Sequence, residues 1–311
     1  MTIRRLSAKD VMPDALRGAV AALGNFDGFH LGHQAVAGEA IAQAKAAGKP
    51  AIIATFDPHP VRFFAPDAPW FRLTTLDQRQ HLFAEAGADA MLVFDFDAAL
   101  AATTAEDFIV ELLVKRLGLS GVVTGEDFTF GKGRGGNIAI LRELGARHGL
   151  HATAMGPVMD DEGVISSSRV RDALRAGDCA TATRLLTRPF AVEGVVQHGD
   201  KNGRLLGFPT ANIDMAHYLR PRYGIYAVKG RLPDGRVVDG AANLGIRPSF
   251  DPPKELLEPH FFDFAEDLYG QKIGVEFHAF IRPEAKFDSM DALMAQMAKD
   301  CDEARKVLAA R

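Results

Sequence analysis

Up to about residue 190, short runs of β-branched and apolar residues alternate with longer alanine-rich stretches. Short apolar runs predict buried strands, and the longer periodic stretches predict helices. The predicted strands are 18–23, 51–56, 88–94, 121–124 and 151–155, and the predicted helices are 32–47, 76–86, 105–117, 138–148, 167–176 and 179–186. This alternation predicts an α/β domain of Rossmann-like type with a parallel sheet, over residues 1–186.

The pattern changes after residue 187, where alternating strands are separated by Gly and Pro turns. We predict strands at 190–197, 223–229, 237–244 and 273–280, which indicate a mainly β domain built as an antiparallel barrel. Helical spacing of Met290, Leu293, Met294 and Met297 then predicts a closing helix over 289–308. The second domain is expected to cover residues 187–311.

Composition narrows the class of protein. The 311 residues are 47% hydrophobic and carry a formal charge of −4, which disfavours a nucleic-acid-binding module. No apolar run is long enough to cross a bilayer, and charged and Pro residues follow Met1 where a signal peptide needs an apolar stretch. Cys179 and Cys301 stand far apart and indicate neither a disulfide framework nor a zinc site. We expect a cytoplasmic protein with small-molecule ligands.

A first candidate site lies where a predicted strand leads into a predicted helix, with the sequence GNFDGFHLGH at 24–33. A helix N-terminus offers free N–H groups to phosphate, and small glycines let a nucleotide approach the backbone. His30 and His33 are three residues apart and can donate to phosphate oxygens from one helix face. The alternative is a glycine-rich turn with two surface histidines. The candidate phosphate-binding residues here are Gly24, Gly32, His30 and His33.

A second element, ISSSRVR at 165–171, combines three hydroxyls with two guanidinium groups where a helix should begin. Ser166, Ser167 and Ser168 with Arg171 could bind a triphosphate, because arginine suits bidentate phosphate contacts. Simple helix capping with solvated arginines is the competing interpretation.

The string HGDKNGRLLGFPTAN at 198–212 predicts a second phosphate-binding loop. Its glycines permit close backbone approach, and the candidate phosphate-binding residues are Gly199, Lys201, Gly203 and Arg204. Thr210 and Asn212, two apart on an extended segment, would present two oxygen ligands to Mg²⁺. A turn capped by Asn212 is the alternative.

These motifs together resemble a known family. GNFDGFHLGH and ISSSRVR are similar to the signatures of the HxGH nucleotidyltransferase superfamily. Segments 55–60 and 125–131 resemble the FMN adenylyltransferase domain of bacterial bifunctional riboflavin kinase/FAD synthetases, and 203–212 resembles the riboflavin kinase motif. In two motifs this chain has Ser168 and Ser249 where the family usually has Thr. The resemblance extends in order from about residue 18 to residue 305.

The resemblance implies two ATP-dependent steps: phosphorylation of riboflavin to FMN by the second domain, and adenylylation of FMN to FAD by the first. It implies triphosphate contacts by His30, His33, Ser166, Ser167 and Arg171. It also implies that Asn25 and Asp27 position ATP phosphates or a magnesium ion, and that Mg²⁺ is the metal.

For the flavin, the resemblance implies contacts by Asp127, Phe128 and Arg305. Phe128 could instead be a core aromatic and Arg305 a solvated helix-end cation. The resemblance makes Glu258 the general base of the kinase. Glu255 is a nearby competitor, because residue type alone does not distinguish the two glutamates.

Riboflavin, FMN and ATP are then the expected partners of a monomer or weak homo-oligomer, with no nucleic acid and no membrane. Two other functions stay open from the residues alone. One is a flavin-binding regulatory or storage protein, and the other is an adenylyltransferase for a different phosphorylated acceptor.

Overall fold

The computed structural model describes residues 3–198, 207–247 and 254–310. The chain folds into two compact units. Unit 1 comprises Met1–Pro69 and Thr75–Ser166, and unit 2 comprises Trp70–Thr74 and Ser167–Arg311. The two helices that follow Ser166 are therefore grouped with the barrel, whereas the boundary expected after residue 186 stays a prediction.

Unit 1 contains the predicted parallel sheet, now with six strands. The strands are β1 (Arg4–Ser7), β2 (Val20–Leu23), β3 (Ala51–Asp57), β4 (Ala90–Asp95), β5 (Gly121–Gly125) and β6 (His151–Met155). They lie in the order β1-β4-β3-β2-β5-β6. Strand β1 was not predicted, because an edge strand of four mostly polar residues has no apolar run to reveal it.

The helices between these strands begin after a side-chain cap, except for the first, whose N-cap residue His30 makes no capping hydrogen bond with its side chain. They are α1 (Leu31–Ala46), α2 (Pro60–Phe64), α3 (Leu76–Glu85), α4 (Ala98–Ala102), α5 (Ala105–Asp107) and α6 (Ile138–Arg147). The Thr75 hydroxyl and the Gln78 side chain form a reciprocal capping box at α3. The predicted helix 105–117 continues from α5 as a π-helix, Phe108–Arg116. Strands β7 (Met159–Asp160) and β8 (Gly163–Val164) form a separate antiparallel pair.

Both faces of the parallel sheet are buried, as crossover helices require. All residues of β2 are buried, and alternate ones contribute to different core clusters. Ala21 and Leu23 pack in one cluster with Phe94 and Phe108, whereas Val20 packs in the other. The near-continuous apolar strands predicted from sequence therefore form the centre of unit 1.

Unit 2 is a nearly closed antiparallel barrel of six strands, as predicted. Helices α7 (Ser167–Ala176) and α8 (Cys179–Leu186) precede strands β9 (Phe190–Val195), β10 (Ile213–Asp214), β11 (Gly224–Arg231), β12 (Val237–Arg247), β13 (Lys254–Phe261) and β14 (Lys272–Arg282). The order is β10-β13-β12-β11-β14-β9. An isolated bridge between Gln197 and Asn212 joins the two ends of the sheet.

Two barrel strands, β10 and β13, were missed by the sequence analysis. Strand β10 has only two residues, too few to show alternation. Strand β13 contains Pro259, which has no N–H for the ladder and therefore argues against a strand. The Pro259 carbonyl nevertheless accepts a hydrogen bond from the Ala211 N–H at 2.9 Å. Strand β13 contains Glu258, and β10 begins directly after Asn212.

The predicted closing helix is α9 (Met290–Ala309), which begins after a Ser289 cap. Ala304 and Leu308 pack against a small core cluster of the barrel. Asp300, 5% exposed, accepts two hydrogen bonds from the Arg282 guanidinium at 2.6 and 2.8 Å. This ion pair joins α9 to β14.

We expect Asp300→Ala to lower the free energy of unfolding of unit 2 by roughly 3 kcal/mol, because it leaves a partly buried guanidinium without its carboxylate. Urea unfolding followed by far-ultraviolet circular dichroism measures the change. Asp302→Ala, at an exposed position of the same helix, is the matched control and should stay within about 0.5 kcal/mol of the parent. Equal effects of both substitutions would contradict a structural role for the ion pair.

Candidate functional sites in the two units

A tight turn connects β2 to α1 in unit 1. Phe26 and Phe29 adopt positive φ angles of 48° and 46°, and Gly28 one of 86°. Positive φ is costly for residues with a side chain. Both phenylalanine rings are buried and contact Phe83, with centroids 5.8 and 5.0 Å away. Hydrophobic packing therefore stabilises a backbone conformation that the local sequence disfavours.

The histidine pair lies where this turn enters α1. His30 is the N-cap residue, with extended φ and ψ of −72° and 172°. Its ring stacks on that of His33, with centroids 3.7 Å apart and planes 22° apart. His30 is 5% exposed, whereas His33 is half-buried. The structure thus brings the two imidazoles together at a helix N-terminus, where N–H groups favour anions.

Glycine at two positions of this segment leaves room for a neighbouring aromatic ring. A Cβ on Gly32 would lie 3.1 Å from His30 Cε1 and 3.2 Å from the Ile165 carbonyl oxygen. A Cβ on Gly24 would lie 3.2 Å from the Phe26 ring. Both glycines were assigned to the phosphate site, and the structure adds that neither position has room for a side chain without movement.

The two polar residues of this turn differ in exposure. Asp27 is 4% exposed and Asn25 is half-buried. The Oδ1 atom of Asn25 is buried and has no hydrogen-bond partner among residues 3–198, 207–247 and 254–310. The triphosphate roles expected for Asn25 and Asp27 stay predictions.

Behind the turn lies a buried polar network that the sequence analysis did not identify. The Thr55 hydroxyl, fully buried, donates to the Asn25 carbonyl at 2.7 Å. Arg79, 3% exposed, donates to that hydroxyl at 2.8 Å and to the same carbonyl at 3.2 Å. Its guanidinium also lies 3.8 Å from an Asp57 carboxylate oxygen. The network holds the backbone of the turn from its core side.

One signal for Arg79 was present in the sequence. Leu76, Arg79 and Phe83 occupy helical spacing 3 and 4 apart, so the arginine falls on the apolar face of α3. A charge at such a position is rarely buried without a partner. The position of Arg79 on the apolar face therefore predicts that its guanidinium is hydrogen-bonded. The spacing does not show that the partner is the Asn25 carbonyl.

The serine motif is divided between the two units. Ser166 is the last residue of unit 1, and Ser167 begins α7 in unit 2. Ser166 and Ser167 are half-buried, whereas Ser168 is exposed. Within unit 2, the Arg171 Nε donates to the Phe71 carbonyl at 2.9 Å, and the guanidinium lies 5.2 Å from the Phe71 ring centroid. The triphosphate roles expected for these residues stay predictions.

The predicted flavin residues of unit 1 follow β5. Asp127 is exposed, and Phe128 is half-buried. The Phe128 ring stacks on Phe130, with centroids 5.7 Å and planes 20° apart, and packs against the core cluster of unit 1. Phe128 thus has the contacts of a core aromatic, and its expected flavin contact stays a prediction.

In unit 2, part of the predicted phosphate loop lies outside the described residues, namely Gly199, Lys201, Gly203 and Arg204. Of the two predicted metal ligands, Thr210 is half-buried and Asn212 is 7% exposed. The Asn212 carbonyl accepts a hydrogen bond from the Gln197 N–H at 2.8 Å.

Strand pairing aligns a row of polar residues across the barrel. Glu258 in β13 is 8% exposed and lies directly opposite Asn243 in β12. On its other side, the β10–β13 register pairs Ile213 with Leu257. Continuing this register by one residue, toward the hydrogen bond from the Ala211 N–H to the Pro259 carbonyl, places Asn212 opposite Glu258. Directly opposed residues share a face of the sheet, so Asn212, Glu258 and Asn243 form what we call the polar row.

The competitor Glu255 lies on the other face of β13, since residues three apart on a strand alternate in direction. Its carboxylate accepts a hydrogen bond from Arg220 Nε at 2.5 Å and another from the Tyr223 hydroxyl. Burial, reinforced by the hydrogen bond to Glu255, raises the pKa of Tyr223 to about 12. Glu255 thus takes part in a structural network outside the polar row.

Arg305 is oriented by two contacts in unit 2. Its guanidinium donates to an Asp263 carboxylate oxygen at 2.8 Å and lies 4.2 Å from the centroid of the Phe262 ring. The hydrogen bond from Arg305 lowers the pKa of Asp263 below its usual value. The arginine is about half exposed, and its predicted flavin contact stays a prediction.

One chain thus joins a parallel α/β unit with a histidine pair at a helix start to an antiparallel barrel with a buried carboxylate. Comparisons with known proteins identify the two parts. A profile for FAD synthetase matches residues 12–169, and one for riboflavin kinase matches residues 186–308.

Full-length relatives are described as bifunctional riboflavin kinase/FMN adenylyltransferase. One from Escherichia coli (strain K12) is 40% identical over 283 residues, covering 91% of this chain and 90% of the relative. One from Bacillus subtilis (strain 168) is 36% identical over 292 residues, covering 92% and 91%. The chain therefore belongs to the bifunctional riboflavin kinase/FMN adenylyltransferase family, which confirms the family resemblance found in the motifs.

A solved structure shares the fold along nearly the whole chain. It is described as a macrolide-efflux protein from Streptococcus pneumoniae, with a TM-score of 0.87, 29% identity, and coverage of 97% of this chain and 99% of that one. Among the described helices of the present chain, none has the length and apolar character needed to cross a membrane.

We expect Thr55→Val to lower the free energy of unfolding of unit 1 by about 1–3 kcal/mol, because it removes a hydroxyl that links Arg79 to the Asn25 carbonyl. Thr124→Val is the matched control. Thr124 is also fully buried on the parallel sheet, but its hydroxyl has no hydrogen-bond partner among the described residues. The control should be neutral or stabilising in urea unfolding, and equal losses in both variants would argue against the network.

Proposed function

We propose that this chain makes FAD from riboflavin in two ATP-dependent steps. Residues 187–311 phosphorylate riboflavin to FMN, and residues 1–186 adenylylate FMN with release of pyrophosphate. The observation that carries the proposal is the occurrence of two chemically different clusters in a chain of this family. One is the stacked histidine pair at the start of α1, and the other is the polar row of the barrel.

In the kinase step, Glu258 acts as the general base. It takes the proton of the riboflavin 5′-hydroxyl as that oxygen attacks the γ-phosphorus of ATP, and ADP leaves. A carboxylate is suited to this task when it is held within hydrogen-bond reach of the hydroxyl. The low exposure of Glu258 and its place in the polar row support this assignment, whereas Glu255 is occupied by Arg220 and Tyr223.

Mg²⁺ is the metal that suits the kinase residues. Mg²⁺ binds oxygen donors, and the Thr210 hydroxyl and the Asn212 amide supply two of them. Thr210 and Asn212 would hold the ion. When bound, Mg²⁺ would neutralise charge on the ATP phosphates.

In the adenylylation step, an FMN phosphate oxygen attacks the α-phosphorus of ATP directly, and no protein nucleophile is needed. His30 and His33 donate hydrogen bonds to the charge that develops on the leaving pyrophosphate. The start of α1, where both histidines lie, adds backbone N–H groups whose positive partial charge also attracts phosphate oxygens. Stacking of the rings, with little exposure of His30, supports a pre-organised pair that does not have to order itself during reaction.

The remaining assigned residues complete the two sites. Ser166, Ser167, Ser168 and Arg171 contact the triphosphate of the adenylylation step, and Asp127 and Phe128 contact its flavin. Arg305 contacts the flavin of the kinase step, where its contacts with Asp263 and Phe262 hold it in place. We further propose that the protein works in the cytoplasm as a monomer or weak homo-oligomer.

Glu258→Gln should reduce FMN formation by about 10²–10⁴-fold, because the base is lost, while conversion of added FMN to FAD continues. His30→Ala should have the opposite effect. The experiment incubates each full-length variant with riboflavin or FMN and Mg-ATP, then separates the flavins chromatographically over time.

Glu255→Gln is the control for the identity of the base and should keep most FMN formation. The division of labour would be wrong if Glu258→Gln or His30→Ala abolished both reactions in a folded protein. Parent protein that left riboflavin unchanged would contradict the kinase activity, and FMN that accumulated without FAD would contradict the adenylyltransferase activity.

Gly32→Ala should lower the rate of FAD formation by at least about tenfold and leave FMN formation unchanged, because the added Cβ must displace the His30 ring. Gly38→Ala is the matched control on the same helix, since its Cβ would meet nothing within 4 Å. Initial rates with saturating ATP and FMN check the comparison. Normal FAD formation by Gly32→Ala would mean that the His30 position is not critical.

A further inference from the structure

Asn243 occupies a place in the polar row to which the proposed reaction assigns no role. It lies in β12, and the register of the antiparallel pair puts it directly opposite Glu258. Cβ atoms of such pairs lie about 5 Å apart and on the same face of the sheet. A molecule that reaches the Glu258 carboxylate therefore comes within reach of the Asn243 amide.

One polar atom of the Asn243 side chain has no hydrogen-bond partner in the described parts of the chain. It is the Oδ1 atom, which is buried. A buried polar atom without a partner destabilises a protein by about 1–3 kcal/mol, so such atoms are uncommon in folded proteins. A bound ligand that supplies a donor would remove this cost.

The neighbours of Asn243 along the row limit what that ligand group can be. On one side is the Glu258 carboxylate, and beyond it is the Asn212 amide. On the other side is Ile225 of β11, which offers only an apolar side chain. A neutral hydroxyl complements the amide, because it can donate to an amide oxygen and accept from an amide nitrogen. An anionic group bound at the Asn243 amide itself, without a metal ion beside it, would be repelled by the Glu258 carboxylate.

From these observations we infer that Asn243 binds a secondary hydroxyl of the ribityl chain and so selects a polyhydroxyl acceptor. The inference rests on the proposed kinase function. The ribityl chain carries hydroxyls on consecutive carbons, so the 4′-hydroxyl is adjacent to the 5′-hydroxyl that Glu258 deprotonates. Asn243 and Glu258 then hold neighbouring hydroxyls of one chain, which places the reacting oxygen against the base.

A site that hydrogen-bonds a substrate hydroxyl rejects an analogue that lacks it, because the amide is then buried without a partner. Parent protein should therefore prefer riboflavin over 4′-deoxyriboflavin in kcat/KM for 5′-phosphorylation. Asn243→Leu, which removes the amide at similar volume, should reduce kcat/KM for riboflavin by at least about tenfold, equivalent to about 1.4 kcal/mol. It should also bring the ratio between the two flavins close to one.

Two further readouts separate binding from a structural role. The KM for ATP and the conversion of FMN to FAD should not change in Asn243→Leu, and its urea midpoint should equal or exceed that of the parent. Asn243→Ala repeats the test without added side-chain atoms if the leucine variant does not fold. Asp239→Asn, at an exposed position of the same strand, is the control and should keep the parent ratio.

The inference is overturned if Asn243→Leu or Asn243→Ala keeps the parent preference for riboflavin over the deoxy analogue, or if the change appears only in the KM for ATP. Loss of stability in both variants would also overturn it, since the amide would then have a structural partner. Parent protein that phosphorylates neither flavin would instead contradict the proposed kinase function.

Discussion

The hydrogen-bonded pairing of β10, β13 and β12 is the constraint on which the polar row of the barrel depends. Backbone N–H and C=O groups inside the barrel need partners, and the ladder that provides them also sets the register. That register aligns Asn212, Glu258 and Asn243 on one face. A shift of one residue would turn Glu258 away and bring Leu257 into its place.

Unit 1 depends on packing behind a strained turn. The turn between β2 and α1 has positive φ at Phe26 and Phe29, a conformation that is costly for residues with a side chain. The Phe26 and Phe29 rings pack in the core, and the Thr55 hydroxyl and the Arg79 guanidinium both donate hydrogen bonds to the Asn25 carbonyl. Burial of an arginine is unfavourable by itself, but its hydrogen bonds to neighbouring oxygens offset much of the cost. These contacts make the turn rigid, and a rigid turn keeps His30 and His33 in one arrangement.

Both units thus place polar atoms inside otherwise apolar surroundings. Asn25 and Asn243 each have a buried amide oxygen with no partner in the described residues. Both residues lie beside a cluster that the proposed reactions use. Unsatisfied polar atoms reduce stability, so their position beside the two clusters is the pattern expected where a ligand completes the hydrogen bonding.

The sequence by itself determined the parallel sheet, the antiparallel barrel, the closing helix and the family. Each of these depends on local signals: apolar periodicity along one segment, or a motif of fewer than about 15 residues. Only the tertiary structure decided which residues join a site across elements. Arg79 reached the Asn25 carbonyl through helix packing, and Asn243 reached Glu258 through strand register. Glu255 lies on the other face from Glu258 because β13 is a strand, on which residues three apart alternate in direction. Such contacts join residues distant in sequence, and no single segment carries the information that pairs them.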